Sequence, residues 1–187
     1  MRIGFGLLVA TCAIAQTPSP ELRIEAIDAG SVFYVRNASK QPLTAFLIEL
    51  VGYPGSRYSY WYDDPAEPIA PGKEKRIQVT NMIVGAAPDY VKVQAAVYAD
   101  GSRAGAEVKV KQLLERRREV LETTRELIAM LGKNATAAEL KEWGATLKPP
   151  AKSVVEEAAA ELERRPASEV LQRLHASERA LAAAKPQ

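Results

Sequence analysis

Five of the chain's 12 aromatic residues fall within ten positions, inside the segment Tyr53-Pro54-Gly55-Ser56-Arg57-Tyr58-Ser59-Tyr60-Trp61-Tyr62-Asp63-Asp64. Rigid amphipathic rings bury a large area at small entropic cost, which suits them to binding proteins and sugars. If Tyr58 to Tyr62 is a strand, Tyr58, Tyr60 and Tyr62 share one face and Trp61 takes the other. Cross-strand packing of the same rings inside a core is the competing reading. The candidate binding surface is therefore Tyr53, Tyr58, Tyr60, Trp61, Tyr62, Asp63 and Asp64.

Other residues could carry chemistry. Asp63 and Asp64 with Glu67 could offer oxygens to calcium or a carboxylate pair, and Asp89 and Asp100 complete the acids available to a small hydrolase. The EF-hand spacing is missing, and glycosidase carboxylates come from separated strands, so these acids read as polar turn residues. His175 is the only histidine, with no second histidine and no carboxylate motif near it to build a zinc site or a triad. Arg116, Arg117 and Arg118 could form an anion site. Glu115, Glu119 and Glu122 lie within i, i+4 reach and favour a solvated helix face instead. Asn37-Ala38-Ser39 and Asn134-Ala135-Thr136 fit the N-glycosylation sequon, yet both asparagines also have turn or capping explanations. No catalytic, metal or cofactor constellation emerges, and a non-enzymatic protein is expected.

The elements that must position these residues divide the chain. Between Glu21 and Asp100 the pattern has period two: Leu22, Ile24 and Ala26; Phe33 and Val35; Ile77 and Val79; Val91, Val93, Ala95 and Val97, with a richer apolar run from Leu43 to Val51. Alternation buries one face and wets the other, as in antiparallel sheets. Short strands separated by Asp28-Ala29-Gly30, Pro71-Gly72 and Asp100-Gly101 turns predict a β-sandwich over 21–105.

Val35-Arg36-Asn37-Ala38-Ser39-Lys40-Gln41-Pro42-Leu43 resembles the strand, Asn, Ser, Pro, strand opening of Ig-like modules such as the FxLYD family of bacterial exported proteins. Pro68-Ile69-Ala70-Pro71-Gly72-Lys73-Glu74 is similar to their proline-glycine lead-in to a middle strand, and Val97-Tyr98-Ala99-Asp100-Gly101-Ser102 to their late Asp-Gly turn. The FxLYD tetrad itself is absent. The resemblance implies an Ig-like sandwich in a bacterial envelope protein and transfers no catalytic residues.

Beyond Gly105 the period becomes helical. Leu113-Leu114, Val120-Leu121 and Leu127-Ile128 recur every seven residues, predicting an amphipathic helix capped by Gly132. Residues 106–111 alternate, so they either add a strand or start that helix. Thr136 to Glu139 is a capping box ahead of Leu140, Trp143, Gly144 and Leu147. Pro149-Pro150 opens a helix striped by Val154, Val155, Ala158 and Leu162, and Ser168 can cap a last one bearing Val170, Leu171, Leu174 and Leu181. The fold class is α+β: an N-terminal antiparallel Ig-like β-sandwich, then about four α-helices over 106–185. The heptad could mark a coiled-coil dimer, but Arg117 and Thr124 within it favour packing inside one chain and a monomer.

The N-terminus places Arg2 before an apolar stretch from Ile3 to Ile14, then Ala13-Ile14-Ala15 before Gln16. That is the pattern of a cleavable signal peptide, residues 1–15, followed by a linker over 16–20. The run is shorter than the ~20 residues that span a bilayer, so no transmembrane anchor is expected. Cys12 offers a lipoprotein alternative, weakened by Thr11 before it. Cleavage at Ala15 would remove the only cysteine and with it any disulfide. The formal net charge of +2 gives nucleic acid no electrostatic footing. The expectation is a secreted or periplasmic, non-enzymatic binding or structural module whose partner is another envelope protein or a cell-wall glycan. The alternatives are a small carboxylate-dependent hydrolase and a lipid-anchored envelope protein.

Overall fold

The computed structural model describes residues 17–28, 30–52, 57–80 and 88–184. The expected signal peptide with Cys12 and Ala15, and Tyr53 of the aromatic segment, lie outside the described residues. Among the described residues the seven strands are β1 (Glu21–Ile27), β2 (Gly30–Arg36), β3 (Leu43–Leu50), β4 (Ser59–Asp63), β5 (Glu74–Thr80), β6 (Val91–Tyr98) and β7 (Arg103–Gly105). Four helices follow: α1 (Glu107–Leu131), α2 (Ala137–Thr146), α3 (Ala151–Leu162) and α4 (Ala167–Ala183). The chain is thus α+β, strands first and helices after.

The strands form two antiparallel sheets, ordered β1-β2-β5 and β4-β3-β6-β7. Period-two alternation sets the register. Phe33 pairs with Ile24 on one side and Ile77 on the other, while Phe46 pairs with Tyr62 and Ala96. Phe33, Val35 and Ile77 of the first sheet join Phe46, Ile48, Tyr62 and Tyr98 of the second in one apolar cluster. The two sheets therefore share a core, and Asn37 closes one end of it. That side chain is fully buried, donates to the Gln41 and Ile69 carbonyls at 2.8 Å each and accepts from the Ser39 amide. The first sequon is spent on this turn.

The apolar run that begins β3 is continuous because both of its faces are covered. Ala45 and Leu47, with Ala95 and Val97 of β6, point away from the shared core onto Val110, Leu113 and Leu114 of α1. Residues 106–111 therefore start the helix: Val110, Leu113, Leu114 and Arg117 fall at i, i+3, i+4 and i+7 and are all buried.

Helix α1 runs 25 residues, about 38 Å at 1.5 Å per residue, and its far half meets different neighbours. Leu127 and Leu131 pack with Leu140 of α2, Val155 and Ala158 of α3, and Val170 and Leu174 of α4. Gly132 caps α1, and Asn134, at φ +62°, takes the left-handed conformation that ends it. Thr136 and Glu139 form the expected capping box, each satisfying the other's backbone amide. The start of α4 corrects the expectation for Ser168. Its first carbonyl acceptor is Pro166, which takes the amides of Glu169 and Val170, so Ser168 lies inside the first turn. Among the described residues no helix is long and apolar enough to cross a membrane.

Candidate functional site

The two faces of β4 send the aromatic segment in opposite directions. Tyr58, Tyr60 and Tyr62 turn toward the core between the sheets. Tyr62 stacks on Phe46 with centroids 4.9 Å apart, Tyr60 lies 6.3 Å from the same ring, and Tyr58 meets Phe33 edge-on at 6.0 Å. The Tyr62 hydroxyl donates to the Glu67 carbonyl at 3.1 Å. Burial pushes all three phenols up, Tyr58 and Tyr62 to about 12, with neighbouring Tyr60 and, for Tyr62, Asp64 adding to the effect. These rings are placed as core packing between strands.

Trp61 and Asp63 face the other way, toward α1. Trp61 packs at the margin of the Ala45, Leu47 and Leu113 cluster. Asp63 meets Arg117, the middle residue of the arginine triplet, and here the solvated-face expectation is overturned. The Arg117 side chain is 4% exposed and that of Asp63 13%. Arg117 Nε lies 3.0 Å from each carboxylate oxygen and Nη2 lies 2.7 Å from Oδ1. Its remaining donors go to Thr44 Oγ1 at 3.1 Å and to the Ala184 carbonyl at 3.0 Å. Thr44 Oγ1 donates onward to the Val97 carbonyl. Ala184 caps the C-terminus of α4, where a helix presents partial negative charge, so the guanidinium is doubly suited to that position. Burial pushes the Asp63 carboxyl up, and the hydrogen bonds and charge of Arg117 pull it back.

Arg117 points into this network because its heptad position lies on the buried stripe of α1. Its neighbour Arg116 is rotated about 100° away and opens on a cleft of about 240 Å³ at the junction of β4, α1, α3 and α4. The Arg116 guanidinium carbon sits 5.3 Å from the centre of the Trp61 ring. Around it stand Ser153 and Glu157 of α3 and Arg173 and Ser177 of α4, with Val154 and Leu174 supplying apolar wall. Arg173 is held by Glu161 at 2.7 Å. No family model, curated protein or solved structure matches this chain. What the site does has to be argued from these groups.

An aromatic ring with a guanidinium over it, a carboxylate and two serine hydroxyls can hold a small polar ligand with an apolar face. The segment read as one surface is split: Trp61 and Asp63 line the cleft, whereas Tyr58, Tyr60 and Tyr62 pack on the core. Asp64 accepts from the Glu67 amide in the following turn. Asp100 accepts from Ser102, whose hydrogen bonds hold its carboxyl below the usual range, and Asp89 lies in the helical turn Pro88–Tyr90. His175 is exposed, 3.9 Å from Glu178. Among the described residues no three acids or histidines gather as a metal cage. Sequence reasoning missed Glu157, Arg173, Ser153 and Ser177, which carry no motif. Arg117 left a signal, a charge on an apolar stripe, which demands a buried partner.

Proposed function

We propose that this protein is an exported, non-enzymatic module of the bacterial cell envelope that binds a cell-wall glycan in the cleft between β4 and helices α1, α3 and α4. The observation that carries this reading is the cleft's composition: Trp61 and Arg116 on one side, Ser153, Glu157 and Ser177 opposite. Sugars present hydroxyls around an apolar ring face, and aromatic, hydroxyl and charged side chains are the groups that meet both. The strand order β1-β2-β5 beside β4-β3-β6-β7 supports an Ig-like sandwich as the scaffold. Export rests on the leader pattern of residues 1–15. Three of the five acids of the competing hydrolase are engaged elsewhere: Asp63 by Arg117, Asp64 and Asp100 by their turns.

Co-sedimentation of residues 16–187 with purified cell-wall sacculi tests the reading. The protein is expected in the pellet, and Ser153→Trp, which fills the cleft from an exposed position on α3, is expected to return it to the supernatant without lowering its melting temperature. Absence of sedimentation, or equal sedimentation of the filled variant, refutes it. Release of soluble fragments from the sacculi, lost in Asp64→Asn, would establish the hydrolase instead.

A further inference from the structure

We propose that Arg116 is the anion receptor of this cleft and that the sugar unit it holds carries a carboxylate, an inference that rests on the glycan-binding reading above.

Three other charged groups share the cleft with Arg116: Asp63, Glu157 and Arg173. Asp63 is consumed by Arg117 through three contacts of 3.0 Å or less. Arg173 is consumed by Glu161. Glu157 has no ion-pair partner among the described residues, and the Arg116 guanidinium has no hydrogen-bond acceptor among them. Arg116 is only partly exposed. Burial lowers its pKa, Glu119 one turn along the helix and Asp63 act in the opposite direction, and the group stays charged. A half-buried guanidinium whose planar fork is unfilled presents bidentate geometry to a carboxylate. Trp61 fixes where that fork sits. With its guanidinium carbon 5.3 Å from the ring centre, Arg116 loses less side-chain freedom when an anion arrives.

The rest of the cleft selects a sugar over an acidic peptide. Glu157 puts a second negative charge in the same small space. It repels a chain of aspartates and glutamates but accepts hydrogen bonds from hydroxyls. Ser153 and Ser177 both donate and accept, and Val154 and Leu174 offer an apolar surface to a ring face. A monosaccharide with its carboxylate on Arg116 and its hydroxyls toward Glu157 and the serines uses every group.

Two probes differing by a single acidic substituent make the test: N-acetylmuramic acid, which carries a lactyl carboxylate, and N-acetylglucosamine, which does not. Both are titrated into residues 16–187 and followed by calorimetry and by NMR shifts of the indole N–H of Trp61. Saturable binding of the acidic sugar is expected, at least tenfold tighter than the neutral one. Arg116→Gln is expected to weaken it tenfold or more and Arg116→Lys to restore part of the loss. Arg118→Gln, the same charge change at an exposed position of the same helix, should leave it unchanged. Melting temperatures of the variants separate lost binding from lost fold.

Equal binding by Arg116→Gln and the parent overturns the assignment. Equal affinity for the two sugars, with sedimentation on sacculi still abolished by Ser153→Trp, overturns the anion receptor and leaves the glycan-binding reading standing. Failure of both sugars, with cleft-independent sedimentation, removes both. A poly-glutamate peptide that binds through Arg116 when neither sugar does would overturn the sugar class.

Discussion

Replacing Arg117 with methionine tests the arrangement on which the junction of sheet and helices depends. The substitution keeps most of the side chain's length and deletes its charge. Asp63 is then left as a buried carboxylate without its hydrogen-bonded cation, only Arg116 acting on it from across the cleft, and the Thr44 hydroxyl and the Ala184 carbonyl each lose a donor. Removing one partner of a buried pair costs about 3–5 kcal/mol, because the survivor's desolvation is no longer compensated. For a chain of this size each kcal/mol shifts the melting temperature by roughly 2–4 °C, so the expected fall is roughly 6–20 °C. Asp63→Leu is expected to cost a similar amount through the stranded guanidinium. The double variant Asp63→Leu/Arg117→Met strands neither charge. Paired apolar replacements are often neutral, so it should recover most of the loss, giving a coupling energy of about 5 kcal/mol or more, the sum of the two single costs less the small cost of the double variant. Urea unfolding of the four proteins at pH 7 measures the cycle. An Arg117→Met cost below about 1 kcal/mol, or single effects that simply add, would refute the claim that the pair joins the layers. Hydrogen exchange gives a second readout: amides in the last turn of α4 should lose protection first in Arg117→Met.

The buried phenols give an alkaline signature. Tyr58, Tyr62 and Tyr98 are raised to about 12 from 10.0, so the stability they contribute is complete below pH 10 and lost as pH rises through 12. Ultraviolet titration of phenolate should show ionisation of these tyrosines coinciding with unfolding. The capping box behaves in the opposite sense: hydrogen bonds from Thr136 hold Glu139 below its ordinary 4.5, so its contribution is present above that value and disappears as pH falls through the lowered one. Glu139→Gln should therefore flatten the acid limb of a melting-temperature profile. Gly105, at φ +100°, links β7 to α1, and a Cβ there would collide with the Gln94 carbonyl. Gly105→Ala is expected to destabilise by more than about 1 kcal/mol, measured by the same urea unfolding.

What the sequence made legible follows from which interactions are local. Alternation within β2 and β5, the Thr136 capping box and the apolar stripes of α2 and α3 are set by residues a few positions apart, and they are found where their spacing puts them. In β6 the expected single face is corrected: a register shift opposite Leu47 and Ile48 leaves Val91 and Val93 on the core between the sheets and turns Ala95 and Val97 onto α1. Alternation also separated Tyr58, Tyr60 and Tyr62 from Trp61. It could not say what covers each side, because the cover for one face comes from β2 and for the other from α1. Arg117 was read by its neighbours Arg116 and Arg118 and the glutamates around them, whereas its environment is decided by Asp63, 54 positions earlier. The cleft was illegible for the same reason, since Trp61, Arg116, Glu157 and Ser177 belong to four separate elements.

The double coverage of β3 and β6 also has a bearing on the order of events at the ribosome. Chains emerge at about 5–20 residues per second, N-terminal units folding first. The outer face formed by Ala45, Leu47, Ala95 and Val97 is complete once β6 has appeared. Leu114, the last of its α1 partners, follows about 1–3 seconds later. Asp63 waits only slightly longer, for Arg117 three positions further on. In that interval the nascent sheets expose an apolar strip of the kind that holdase chaperones recognise. Stalling translation so that β6 but not Leu114 has emerged would catch the chain in that state, and a stall that also exposes Leu114 would release it.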